Sequence, residues 1–158
     1  MIYIVMGVSG SGKTTFGKML AKALSLSFID ADDVHPKENV LKMSRGIALT
    51  DEDRYPWLHA LSLLLAEHER HGLVLACSAL KESYRKLLSS RLRDAFKLIY
   101  LKGCYKTIYT QISIRENHFF SPEMLLSQFE ELEEPEAALI IDLDTKPLFA
   151  DEVMNLIP

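Results

Sequence analysis

Gly7-Val8-Ser9-Gly10-Ser11-Gly12-Lys13-Thr14 is the stretch on which the reading of this chain turns. It follows the apolar run Ile2-Tyr3-Ile4-Val5-Met6, which predicts a short buried strand. It precedes Thr15 to Leu24, where Phe16, Met19, Leu20, Ala23 and Leu24 recur at helical spacing. Strand, glycine-rich turn and helix in that order are the setting of a phosphate-binding loop. Glycines let backbone N–H groups turn inward around phosphate oxygens, and the next helix aims the positive end of its dipole at the same anion. Lys13 is then expected to reach the β- and γ-phosphates and the Thr14 hydroxyl to ligate Mg²⁺. Gly7, Val8, Ser9, Gly10, Ser11, Gly12, Lys13, Thr14 and Thr15 are the expected contacts to ATP. An ordinary strand-to-helix turn is the plainer alternative, but every fixed position of the motif is filled and both flanking elements are right.

A chain of 158 residues predicts one domain with a single core. The net charge of −4 and the lack of a long basic run argue against nucleic-acid binding as the main activity. Cys77 and Cys104 are too few for a disulfide framework or a zinc site, so two reduced thiols are expected. No apolar run has the length of a membrane span, and Ile2 to Met6 leads straight into the phosphate loop without a charged leader. A cytoplasmic location is the expectation.

Outward from the loop, strand-like and helix-like segments alternate, which predicts a parallel sheet covered by helices on both faces. Strands are expected at Ser27 to Ile29, Leu73 to Cys77, Phe96 to Leu101 and Ala138 to Asp142. Pro36 to Met43 predicts a short helix. Thr50-Asp51-Glu52-Asp53 has a capping pattern, yet Pro56 favours a regular helix that starts near Asp53 and runs to about His71. Further helices are expected after Ser78, from Lys106 to Arg115, from Ser121-Pro122 onward, and from Phe149 to Leu156. Residues 105 to 134 form a candidate mobile helical lid within the one domain.

The third strand ends in Ala76-Cys77-Ser78-Ala79, without the acid that many NTPases place there for Mg²⁺. No Asn-Lys-x-Asp segment is present to read guanine. The nearest carboxylates are Asp30 and Asp32 at the end of the second strand, the sheet edge where such folds bind ligands. Asp30 is expected on the metal side, through water, and Asp32 as acceptor of a proton from a substrate hydroxyl. Phosphoryl transfer asks more for positioning and charge neutralisation than for strong base catalysis. The plainer reading is that these acids cap the following turn, and for Asp33 alone that suffices.

The phosphate loop, Asp-Ala-Asp-Asp-Val-His-Pro at 30 to 36, Leu-Thr-Asp-Glu-Asp-Arg at 49 to 54 and Pro56-Trp57-Leu58 together resemble the successive motifs of gluconokinases. So do Ala-Cys-Ser-Ala-Leu-Lys at 76 to 81 with Tyr84-Arg85, Tyr-Leu-Lys-Gly at 100 to 103, His118-Phe119-Phe120, Ser127-Gln128-Phe129 and Leu132-Glu133. The resemblance spans nearly the whole chain. It implies a three-layer P-loop kinase fold with a five-stranded parallel sheet, and ATP- and Mg²⁺-dependent phosphorylation of D-gluconate to 6-phosphogluconate. Shikimate kinase is a more distant relative with the same plan. A kinase for another polyhydroxy acid and a nucleotide-binding regulatory protein that has lost catalysis are the alternatives.

By the same resemblance, Asp30 and Asp32 match the paired acids of the family, and Arg54 matches a basic position used for a substrate carboxylate, a task suited to a planar guanidinium. Lys81 and Arg85 lie four apart on one helix face, as contacts to carboxylate or phosphate or as a solvated basic face. His35 and His118 are candidates for sugar hydroxyls, against turn stabilisation and lid packing. Arg115 is the expected catalytic cation of the lid. The chain departs from its family at Gln111, Glu116 and Asn117, where positive charge or glycine is usual, and at Ala31. Trp57 is read as core, and Phe119, Phe120 and Phe129 as lid anchors. A homodimer is the assembly the resemblance implies, with the apolar face from Trp57 to Leu65 as a surface that a core role explains equally.

Overall fold

β1 (Ile2–Met6) is buried along its whole length because a parallel strand lies on either side, β3 (Leu73–Ala76) on one and β4 (Lys97–Lys102) on the other. β2 (Ser27–Asp30) extends the sheet beyond β3, and β5 (Leu139–Asp142) beyond β4. The order is β2-β3-β1-β4-β5, parallel throughout. The computed structural model describes residues 1–114 and 121–145. The expected closing helix from Phe149 to Leu156 lies outside them.

The period-two alternation of β1 divides the core. Tyr3 and Val5 face α1 (Lys13–Leu24), α5 (Tyr105–Ile114) and α6 (Pro122–Glu131), packing with Phe16, Leu20, Ile108, Ile112 and Leu125. Ile2, Ile4 and Met6 face α3 (Asp51–His68) and α4 (Glu82–Ser89), packing with Trp57, Leu58, Leu61, Leu65 and Leu88. The apolar face of α3 is therefore spent in the core of the chain, which removes it as a dimer surface.

Two local outcomes matter for the site. α3 begins at Asp51, two residues before the expected start, because Thr50 and Asp53 close a reciprocal capping box, Thr50 Oγ1 accepting from Asp53 N–H and Asp53 accepting from Thr50 N–H. Such a cap is worth about 1 kcal/mol. Pro56 then sits inside the helix, where Pro56 and Glu52 are both exposed, so the carbonyl deprived of its partner can turn to water. The helix places Arg54 and Trp57 one turn apart on its buried side. A short 3-10 turn, Ala31–Val34, and α2 (Lys37–Ser44) carry the chain from the end of β2 around the same end of the sheet.

Candidate functional site

The C-terminal ends of β1 and β2 open into a cleft of about 690 Å³, whose wall includes Lys13, Thr14, Asp30, Asp32, His35 and Arg54. At one end lies the loop before α1. Gly12 caps that helix in the left-handed conformation, at φ 94°. The cap has no side-chain hydrogen bond and the first turn has no acid, so the terminal N–H groups face the cleft without an internal counter-charge. Gly10 also has positive φ, 81°, and its missing side chain matters: a Cβ there would meet Ile112 Cγ1 at 2.3 Å. Glycine thus lets α5 close down on the loop. Lys13 Nζ donates to Val8 O at 2.9 Å, bringing the ammonium across the loop.

Thr14 and Asp30 meet beside this end, Thr14 Oγ1 donating to Asp30 Oδ2 at 2.5 Å. Asp30 Oδ1 accepts from Asp32 N–H at 3.0 Å, so Asp30 is the cap of the 3-10 turn, and its other oxygen is the one that meets Thr14. A hydroxyl and a carboxylate oxygen side by side suit Mg²⁺, a hard ion that keeps waters and takes further oxygens from the phosphates it accompanies. Among the described residues no cluster of three or more His, Cys, Asp or Glu could cage a metal alone.

Asp32 reaches into the cleft from the 3-10 turn, its side chain 78% open to water. Crowding by the cleft walls pushes its pKa up, Lys13 pulls it down, and Asp30 and Asp33 add to the rise. Cys77, just beneath, is fully enclosed and its thiol is pushed up to about 12 by burial, so it is inert.

The far wall is built by α3. Trp57 Nε1 donates to Ala31 O at 2.7 Å, and its ring stacks on His35 with centroids 4.0 Å apart. Trp57 is core, as expected, and a platform for His35 as well. Arg54 Nη1 donates to Tyr84 Oη at 2.8 Å and lies 2.9 Å from Glu131 Oε2 of α6, an ion pair that leaves that oxygen without an aligned donor. Burial works against the charge of Arg54, but Glu131 and Tyr84 outweigh it and hold its pKa above the ordinary value. Both contacts use Nη1, which leaves the other edge of the guanidinium for a carboxylate.

Lys81 and Arg85 are not brought to the cleft. Arg85 is buried and its Nη1 donates to Ala79 O at 2.8 Å and Leu80 O at 3.0 Å, pinning the loop between β3 and α4. Lys81 Nζ donates to Asp51 Oδ1 at 3.1 Å, and Tyr84 Oη donates to the same oxygen. The chain Lys81, Asp51, Tyr84, Arg54 thus reaches the cleft only through Arg54. Spacing on a helix face could not reveal this, since Arg85 turns back to its own loop and Lys81 turns to the first residue of α3. Arg115 and His118 lie outside the described residues.

Two contributors carried no assigned role in the sequence. Gln128 of α6 holds the phosphate loop: its Oε1 accepts from Ser9 N–H at 2.7 Å and its Nε2 donates to Ser9 Oγ at 3.0 Å. Asn39 of α2, buried, donates through Nδ2 to Asp53 O at 2.8 Å, with His35 Nδ1 3.2 Å away. The Ser-Gln-Phe motif was the available signal for Gln128. Nothing marked Asn39.

Comparison with known proteins agrees with this architecture. The family model described as shikimate kinase matches residues 9–148. The chain is 42% identical over 149 residues to the thermoresistant gluconokinase of Escherichia coli (strain K12), covering 90% of this chain and 85% of that protein. It is 43% identical to a probable gluconokinase of Mus musculus, over 86% of this chain and 84% of the relative. The crystal structure of a gluconokinase from Sinorhizobium meliloti 1021 superposes with a TM-score of 0.87 at 38% identity, covering 97% of this chain and 86% of the other.

Proposed function

The chain belongs to the gluconokinase family, and from that premise we infer that it is a kinase that transfers the γ-phosphoryl group of ATP to D-gluconate, giving 6-phospho-D-gluconate and ADP. One observation carries the reading of the cleft: Lys13 of the phosphate loop and Asp32, the acid for the acceptor, line the same cavity as Arg54 and His35.

The triphosphate lies along the N-terminus of α1, its charge met by backbone N–H groups and Lys13. Mg²⁺ would be held by Thr14 and Asp30, and it supplies charge neutralisation on the phosphates. Arg54 takes the gluconate carboxylate on its uncommitted edge, and this sets the polyol chain toward the loop. The attacking hydroxyl donates to Asp32. As its oxygen bonds to phosphorus and the bond to the ADP oxygen breaks, its proton passes to the Asp32 carboxylate. Because the transition state is loose, alignment contributes more than basicity. Residues 105 to 134 act as the lid, with Arg115 as the arriving cation.

A coupled ADP-release assay with gluconate, shikimate and a panel of sugars tests the assignment. Gluconate alone should accelerate ADP release strongly; acceleration by shikimate would move the chain to the neighbouring activity, and ATP binding without acceleration by any acid would make it a regulatory protein.

A further inference from the structure

His35 is held on all sides. Trp57 covers one face of its ring, its side chain is only 3% exposed, and its Nε2 lies 4.0 Å from Asp32 Oδ1. That separation is too long for a direct hydrogen bond. Both residues line the cleft, and a hydroxyl oxygen entering from it would bond to both if it stood about 2.8 Å from each.

Which ring nitrogen carries the proton is decided on the other side. The Asn39 amide must present nitrogen, not oxygen, to Asp53 O at 2.8 Å, because two acceptors would repel there. The same nitrogen has a second hydrogen, and His35 Nδ1 stands 3.2 Å from it. Nδ1 must then accept, and a neutral imidazole that accepts at Nδ1 carries its hydrogen at Nε2. Asp53 is in turn fixed by the capping box of α3 and by an ion pair with Lys42 at 2.7 Å, so the Asn39 amide has little freedom to flip.

We propose that Asn39 is a positioning residue: its amide fixes His35 as the Nε2–H tautomer, whose N–H donates to the acceptor hydroxyl that itself donates to Asp32. The inference rests on the kinase reading for the identity of that hydroxyl. A donor and an acceptor 4.0 Å apart define the direction of a hydroxyl: its hydrogen points to Asp32, one lone pair takes the His35 hydrogen, and the other lone pair is left for phosphorus. A histidine of the opposite tautomer would face Asp32 with a lone pair and compete with it for the hydrogen of the hydroxyl, which would then have no donor to fix its direction.

The test is a two-bond proton–nitrogen correlation spectrum of the imidazole rings in the ¹⁵N-labelled full chain at neutral pH, with the His35 signals identified by their loss in His35→Gln. The wild type should show the neutral Nε2–H pattern. Asn39→Asp, which accepts where the amide donated, should move the proton to Nδ1 or protonate both nitrogens. It should also raise the gluconate KM about tenfold, the worth of one hydrogen bond, while the ATP KM changes less than about twofold. An Nδ1–H wild type, or an Asn39→Asp protein that keeps Nε2–H, overturns the proposal. So does a parallel rise in both constants with the tautomer unchanged. If Asn39→Asp does not fold, Asn39→Ala decides, a mixture of tautomers being expected and a pure Nε2–H ring being fatal. The spectrum is taken without nucleotide or acceptor, so a chain inactive on gluconate would sink the function without touching the tautomer.

Discussion

Gln128 binds both ends of Ser9, accepting from its backbone N–H at 2.7 Å and donating to its hydroxyl at 3.0 Å, across 119 residues of sequence. This ties α6 to the loop that receives the phosphates. Gln128→Ala should raise the ATP KM and lower kcat, each by about tenfold, the cost of losing the loop's fixed shape. Gln128→Glu should be worse, because it sets a negative charge beside a phosphate site. Steady-state kinetics at saturating gluconate checks both; an ATP KM and kcat unchanged in Gln128→Ala would show that the loop holds itself.

Arg54 is anchored through one nitrogen by Tyr84 and Glu131. Arg54→Ala should raise the gluconate KM by at least about tenfold, as expected for a charge-assisted hydrogen bond, with the ATP KM nearly unchanged. Glu131→Gln keeps the shape and removes only the anchoring charge, so a smaller rise in the same constant is expected. A defect confined to ATP would move Arg54 to the nucleotide side.

Asp32 should act on turnover more than on binding. Asp32→Asn keeps a polar group of the same shape but cannot take the proton, and kcat should fall about a hundredfold, the lower end for general-base groups because the transition state is loose. Isothermal titration with a non-hydrolysable ATP analogue should give an affinity close to wild type. An unchanged kcat would remove Asp32 from the acceptor.

The sheet and the phosphate loop were legible because their signals are local: apolar runs of strand length, glycines at fixed spacing, alternation with helical segments. The early start of α3 was not, because a capping box and an internal proline pull in opposite directions and only the exposure of Glu52 and Pro56 shows which wins. Among the candidate site residues, Asp30 at the end of β2 and Asp32 in the turn after it were placed by the architecture itself. Arg85 and Lys81 could not be placed, since their partners are the carbonyls of Ala79 and Leu80 in the preceding loop and an acid at the start of α3. Asn39 was invisible for a similar reason. Its importance comes from two hydrogen bonds to groups four and fourteen residues away, and no composition or period encodes them.

The enclosure of His35 also predicts how stability responds to acid. Burial first, and the positive charge of Arg54 second, bring its pKa from 6.5 down to about 4 in the folded chain. Between those values the unfolded chain binds more protons than the folded one, so stability rises with pH across the interval. The contribution is complete above pH 6.5 and is lost as pH falls from there through about 4. Asp51, Asp53, Glu69 and Asp144 all have pKa values held below the ordinary carboxylate range, Asp53 at about 2 through its bond from Lys42, so their losses come at lower pH. Urea midpoints at pH 7, 6, 5 and 4.5 should therefore fall more steeply in the wild type than in His35→Gln, which has no proton to gain. Parallel pH dependences in the two proteins would mean that the ring titrates freely in the fold and is not enclosed as described.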